Sequence, residues 1–368
     1  MTTLVTGFPT SFLAVRVVRR LLETSEARIV CVVQRKQMAR AESWREGLAA
    51  SRRSRLSFLE GDTAALDLGL SGAEVRMLAR EVTHVHHCAA VTYLGATKDV
   101  AERANVGGAR EIVELAEISE KLERLVHWSS ALVSGGRRGV VLEDELPSSG
   151  FRNCVEETRA RAERIVRESL DRVPATILRP SIVVGDSVTG EIDRLDGPYL
   201  LVQLLLGAPT DLRIPMPGRG DVPLNLVPID YVVDAGLAIV ASDESVGRGF
   251  HVVDPSPPTA RRVFELLAEA TGRPIPRGFV PTSFATTLMR TPGLERFANV
   301  PRSFLEQLAT DVIWDDRGAR AILEARGIAC PHFEDYVGVL VDFVRAQHAK
   351  RRDVGEELTF EIEDLPLG

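Results

Sequence analysis

Through its first half the chain alternates short β-branched runs with longer stretches of helical periodicity, an order that few folds accept. Residues 4–6 read as a strand. Residues 12–22 read as a helix with Leu13, Val17, Val18, Leu21 and Leu22 on one face and arginines opposite. Residues 28–33 are a nearly all-apolar run of the kind buried on both faces of a parallel sheet. Further strands are expected at 55–60, 82–88, 125–130 and 175–178, the last broken by Arg179 and Pro180. Helices are expected at 98–118 and 153–170. Strand, helix, strand in this succession specifies βαβ units, so the fold class is α/β with helices packed on a parallel sheet.

After residue 184 the punctuation changes. Glycines and prolines crowd the stretch 185–220 and recur at Pro255, Pro257 and Pro258, which indicates loops and short elements. Helical patterns return at 261–270 and 335–349. The expected division is a sheet domain over 1–184, a smaller lobe over 185–349 to which some later strands return, and a charged tail over 350–368. A partner-binding strand at 358–360 is the lesser alternative to a solvated tail. With 368 residues, 45% of them hydrophobic and 26% charged, the chain has the aliphatic core of a folded protein, and global disorder is excluded.

Several partner classes drop out on composition. A formal charge of −7 argues against a nucleic-acid partner, because binding phosphate backbones requires a basic face. Cys31, Cys88, Cys154 and Cys330 lie far apart with no CxxC pair, so neither a metal site nor a disulfide framework is expected. Without a basic leader and apolar core at the start, the expected setting is reducing and cytoplasmic. The longest apolar stretch, 199–206, is too short to cross a bilayer and reads as a buried helix or pocket wall, so no membrane partner is expected.

The first strand ends in Thr6-Gly7 and the chain re-enters a helix at Phe12, bringing free N–H groups and a positive dipole end to the carboxyl edge of the sheet. Dinucleotide pyrophosphates bind at such a place. The loop Gly7-Phe8-Pro9-Thr10-Ser11-Phe12-Leu13-Ala14 keeps one of the three glycines this chemistry uses, with Ser11 where backbone meets phosphate and Ala14 as the packing residue. Read alone, it is equally a cofactor loop or a tight turn. Arg35 and Lys36 follow the second strand with no Asp or Glu among them, and cations there favour a 2′-phosphate, hence NADP. A solvated basic helix start is the other reading of the same pair.

Taken together these segments resemble the extended short-chain dehydrogenase/reductase superfamily, within it the thioester-reductase and fatty-acyl-CoA-reductase group, from about residue 4 to 347. Gly61-Asp62 is similar to the adenine-side Gly-Asp, His87-Cys88-Ala89-Ala90 to the fourth-strand signature, and Asn105-Val106 with Gly108 to the helix that supplies the active-site Asn. Ser129-Ser130 matches the fifth-strand motif, with Ser130 at the catalytic place. Arg179 to Asp186 and Val227 to Asp234 match two later signatures. The resemblance implies a Rossmann-type doubly wound parallel sheet with a smaller C-terminal substrate lobe. It also implies an NADP cofactor held by Gly7, Thr10, Ser11, Phe12, Arg35, Lys36, Asp62, Ala89, Ala90 and Arg159, and catalytic roles for Ser130, Asn105 and Arg159. The implied partner is a small-molecule or acyl-thioester substrate. A homodimer through helices of the sheet lobe is a further possibility, although the helix expected there is heavily charged.

One departure falls at the centre of the chemistry. The superfamily transfers its proton from a Tyr hydroxyl, with a Lys one helical turn later. Here Val155 and Arg159 occupy those positions. Valine has no proton to give. Candidate replacements are Ser130, Tyr93, Tyr199 and Cys154, each with a packing or strand-end role as the alternative, and His86 and His127, which read as core groups. Asp186, Glu191, Asp193 and Asp196 are cleft-mouth carboxylates or simply solvated ones. Two functions remain open at this level: an NADP(H)-dependent reductase of a carbonyl or acyl thioester with an atypical site, or a homologue without redox turnover, such as a lyase, isomerase, cyclase or binding subunit.

Overall fold

In chain order the described strands are β1 (Thr2–Thr6), β2 (Arg28–Val33), β3 (Leu56–Glu60), β4 (Val82–His87), β5 (Arg124–Trp128), β6 (Gly139–Val141), β7 (Ala175–Pro180), β8 (Ile182–Val184), β9 (Met216–Pro217), β10 (Leu226–Pro228), β11 (Arg248–Val252), β12 (Phe279–Val280) and β13 (Val312–Trp314). The computed structural model describes residues 1–93, 95–195, 197–207, 216–217, 220–275, 279–280 and 310–353. Seven strands form one sheet in the order β11-β7-β5-β4-β1-β2-β3, every pairing parallel. The order reverses between β1 and β4, and that switch point opens the crevice in which doubly wound sheets bind ligands. Parallel pairs β8/β10, β9/β12 and β6/β13 stand outside this sheet.

Both faces of the sheet are covered, as the apolar run of β2 requires. Against one face pack Val17, Val18, Leu21 and Leu22 of the helix Phe12–Thr24, together with Val232 and Ile239 of Ile229–Val240. Against the other pack Leu78, Ile112, Val113 and Val166 from three more helices. A separate cluster unites Tyr199, Leu201 and Leu205 of Tyr199–Gly207 with Phe264 and Leu267 of Ala260–Thr271 and with Tyr336 and Val341 of the last helix. The stretch read as a buried helix or pocket wall is a buried helix.

The structure corrects several local expectations. The strand expected to break at Arg179 continues through Pro180, paired with β11 as far as Val252. A proline in the last position of a strand forfeits little of the ladder, and Arg179 can be buried because Glu163 neutralises it. The helix expected over 98–118 is interrupted by a π-helical turn, Glu102–Gly107, between Lys98–Ala101 and Gly108–Ile118. A π turn shifts side chains out of the 3.6-residue register, a distortion common at functional sites, and Asn105 lies within it. The fifth strand ends at Trp128, leaving Ser129 and Ser130 in the turn beyond. At the far end the helix Phe333–Asp353 takes in residues 350–353, which the sequence had assigned to the tail. The remainder of the tail, including the strand considered at 358–360, lies outside the described residues.

Candidate functional site

The β1 turn is built by close approach. Gly7 has φ of +88°, and a Cβ there would stand 2.9 Å from the backbone N of Ala89, so only glycine lets β1 and β4 end side by side. Thr6 extends the same contact: its Oγ1 lies 2.9 Å from Nδ1 of His87 and accepts the N–H of Ala89. The N–H groups of Thr10 and Ser11 both turn back to the carbonyl of Gly7. Ser11 therefore does not offer its backbone outward. It caps the helix, accepting the Ala14 N–H at 3.3 Å. That leaves the N–H groups of Phe12 and Leu13, which have no intrahelical partner, as the outward donors.

The helix Cys154–Glu168 is the hub of the second half of the site. Thr158 accepts from Asn105 Nδ2 at 2.9 Å, while Asn105 Oδ1 accepts the Val91 N–H at 2.8 Å. The Asn105 amide thus ties the loop after β4 to this helix. One residue on, Arg159 donates through Nη2 to the Trp128 carbonyl at the end of β5. Burial lowers the pKa of Arg159 to about 10, and nearby Glu163 partly offsets the shift, so the guanidinium stays charged. Its Nε–H is buried without a partner among the described residues. Ser130 begins the turn Ala131–Ser134, its Oγ accepting the Leu132 N–H at 3.2 Å and lying 3.5 Å from the Pro180 carbonyl. At that length the hydroxyl proton is only weakly engaged. Asn105 is thus tied to this helix through Thr158 and the end of β5 through Arg159, with Ser130 two residues past Trp128, and Val155 is buried one turn before Arg159.

Behind them lies a buried ionic core that the sequence reading missed, although the Arg179-Pro180 signature was its visible end. Glu163, fully buried, accepts from Ser129 Oγ at 2.7 Å, from Arg179 Nε at 2.9 Å and from Arg167 Nε at 2.8 Å. Burial alone would raise its pKa, but the Arg179 and Arg167 guanidinium groups and the Ser129 hydroxyl bring it down to about 2. This cluster holds Ser129, and with it the backbone that leads into Ser130.

The groups considered as replacement proton donors are placed as follows. Tyr199 is buried and its hydroxyl accepts the Gly185 N–H at 2.7 Å. The Tyr93 ring lies under the Arg194 guanidinium at 5.3 Å. Cys154 directs its thiol to the Ala96 carbonyl at 3.2 Å. Burial lowers the His86 pKa to about 3 and the His127 pKa to about 4, so both rings are neutral. His86 accepts from Trp128 Nε1, whereas Nδ1 of His127 has no partner among the described residues, so of the two only His86 is seen as the satisfied core group expected. Beside the Ser130 turn, Leu132, Arg152, Ile182, Asn225, Thr310 and Trp314 enclose about 10 Å³, close to the space of one water, and Arg152 donates across it to Thr310.

Two charge expectations change. Arg35 has no acidic neighbour in sequence, but the β2/β3 register sets Val33 opposite Glu60, whose carboxylate lies 3.8 Å from Arg35 Nε. The place after β2 thus carries an acceptor as well as cations. Asp186 and Glu191 are not merely solvated, since both pair with Arg16. Asp62 sits just past β3, its Oδ1 accepting the Ala64 N–H, and Ala90 follows the Gly7 contact. Asp196 lies outside the described residues.

A reversed parallel sheet, a one-glycine turn at its switch point and a helix that begins there define the Rossmann-type fold of the extended short-chain dehydrogenases/reductases. Residues 5–236 match the NAD-binding family described as male sterility protein, and the chain belongs to that family. Among curated relatives it is 28% identical over 215 residues to fatty acyl-CoA reductase wat of Drosophila melanogaster, covering 50% of this chain and 41% of that one. It is also 28% identical over 274 residues to a linear gramicidin synthase from Brevibacillus parabrevis, covering 69% of this chain and 5% of that one. The chain thus spans less than half the length of either relative. Among solved structures, the terminal R domain of the myxalamid PKS-NRPS biosynthetic pathway superposes with a TM-score of 0.79 at 24% identity, over 94% of this chain and 91% of that one. A yeast methylglyoxal/isovaleraldehyde reductase complexed with NADPH gives a TM-score of 0.66 at 16% identity, over 95% and 100% of the two chains. No described helix is long and apolar enough to cross a membrane.

Proposed function

We propose that this protein is an NADP(H)-dependent reductase of acyl thioesters that releases aldehyde and is slow to carry the aldehyde on to alcohol. The observation that carries this reading is Val155, buried one turn before Arg159 on the helix that Asn105 joins through Thr158, at the position where the superfamily places its proton donor. The residues present suit a dinucleotide. Phe12 and Leu13 offer backbone donors to a pyrophosphate, and the orphaned Nε–H of Arg159 suits a ribose hydroxyl. Arg35 suits a 2′-phosphate. A bound nicotinamide supplies hydride to a carbonyl carbon.

The chain's own part is to orient the carbonyl and stabilise the charge that grows on its oxygen. Ser130 can rotate its hydroxyl from Pro180 toward that oxygen, and such a donor contributes about 10²–10³ in rate. What happens to the oxyanion separates the two reductions. From a thioester it collapses by expelling a thiolate, a leaving group stable near neutral pH, with no proton required at the oxygen. From an aldehyde it has no leaving group and must be protonated, and Val155 cannot do so.

The test is single-turnover reduction of an acyl-pantetheine thioester with NADPH, trapping aldehyde as a hydrazone and measuring alcohol separately. The expected result is aldehyde as the main product, with Ser130→Ala slowing its formation by about 10²-fold. Alcohol as the sole product overturns the reading. Cofactor choice has its own expectation. Arg35→Ala should weaken NADPH more than NADH, whereas Glu60→Gln should favour NADPH by removing the carboxylate that competes for Arg35 and repels the 2′-phosphate. Nicotinamide fluorescence titrations check both, and equal effects on the two cofactors count against a ribose-end role.

A further inference from the structure

The segment that follows β8 crosses from the substrate lobe to the dinucleotide-binding half. On the lobe side Gly185 N–H donates to Tyr199 Oη, and Gly190 is so close to the last helix that a Cβ would stand 2.6 Å from Phe343 Cβ. Between them Ser187 donates twice to Asp230, at the start of the helix Ile229–Val240 that packs on the sheet. Within it Asp186 Oδ1 accepts the N–H groups of Val188 and Thr189, holding a tight turn. On the other side it is fastened electrostatically. Arg16 pairs with Asp186 at 3.1 Å and Glu191 at 2.8 Å, and Arg194 covers the Tyr93 ring.

Arg16 is placed for a second partner. It lies one turn into the helix that starts at the β1 turn, and helical side chains lean toward the N-terminus. Its guanidinium accordingly sits 4.9 Å above the Phe12 ring, over the turn whose N–H groups face outward. The Arg16 and Asp186 side chains are only 11% and 12% exposed, so that pair is poorly screened, whereas Glu191 is half exposed. Asp186 and Glu191 also set two negative charges near the end of the helix where an anion would arrive.

We infer that Arg16 is an anion-binding residue of the dinucleotide cleft, shared between the strap carboxylates Asp186 and Glu191 and the pyrophosphate of the cofactor. The inference rests on the dinucleotide reading above. A pyrophosphate competes with the two carboxylates for one guanidinium, so binding loosens the strap, and neutralising the carboxylates removes both a competitor and a repulsion.

Two measurements on the whole protein separate the parts. In cofactor-free protein, hydrogen exchange of peptides covering 185–195 should speed up in Arg16→Met, because the latch is gone. NADPH titrations at low salt should show Asp186→Asn/Glu191→Gln binding about tenfold tighter than the parent and Arg16→Met about tenfold weaker. NADPH binding by the parent with unchanged affinity in the carboxylate variant overturns the role of Arg16 alone. Unchanged exchange in Arg16→Met overturns the latch. Failure of all three proteins to bind NADPH overturns the dinucleotide reading, and the anion role with it.

Discussion

Val155→Tyr combined with Arg159→Lys should, on the proposed chemistry, raise aldehyde reduction by about 10²-fold or more and carry the product on to alcohol. The two positions lie four residues apart on one helical face, which is the spacing a phenol and an ammonium need to share a proton and a ribose. Thr158 and Asn105 already hold the helix and the loop after β4 in place. The phenol has the harder task of fitting, since Val155 is buried and an enlarged side chain costs about 1–3 kcal/mol. Stopped-flow oxidation of NADPH with an aldehyde, set against the same measurement with a thioester, reads the change directly. A gain confined to the aldehyde supports the proton-donor argument. Equal rates for parent and variant, in a variant that melts near the parent temperature, sink it.

The second large effect concerns stability. Glu163→Gln should lower it by about 3–5 kcal/mol, because it leaves Arg179 buried without a full counter-charge. That corresponds to a fall in melting temperature on the order of 10 °C. The sign against pH follows from the depressed pKa of Glu163. Its stabilisation is complete above the ordinary carboxylate range near 4.5 and is lost as pH falls toward about 2. The gap between parent and Glu163→Gln should therefore be widest near neutrality and should close in acid. Urea unfolding at a series of pH values checks this, and a gap independent of pH excludes the charge pair as its cause. Arg179→Met in the Glu163→Leu background should recover part of the loss, since an apolar pair has no charge to desolvate.

Both effects meet at β5. The ionic core fixes Ser129, Arg159 reaches the carbonyl of Trp128, and Ser130 begins the turn beyond. Weakening Glu163 should thus lower the rate of thioester reduction in proteins that remain folded, through loss of position and not loss of a reacting group.

Much of this architecture was legible in the residues. The all-apolar β2 and the amphipathic helix after Gly7 follow from periodicity and turn chemistry, which act over a few residues. The short signatures, and Val155 at the position where the resemblance expects a tyrosine, came from likeness to a known family and not from periodicity. Ser11 shows where such reading ends: whether its backbone faces outward or back to Gly7 depends on how the turn closes, and its side chain became a helix cap. The π turn around Asn105 left no mark in an otherwise regular helical pattern.

The chain alone determined that a parallel α/β sheet forms and that Val155 stands at the position the proposed chemistry turns on, since local propensity gives the first and residue identity the second. Only the tertiary structure decided which charges meet. Glu60 reaches Arg35 through strand register, Glu163 reaches Arg179 across two elements, and Arg16 finds Asp186 170 residues away. Coulombic partners at such separations are chosen by topology and desolvation, which no local pattern encodes.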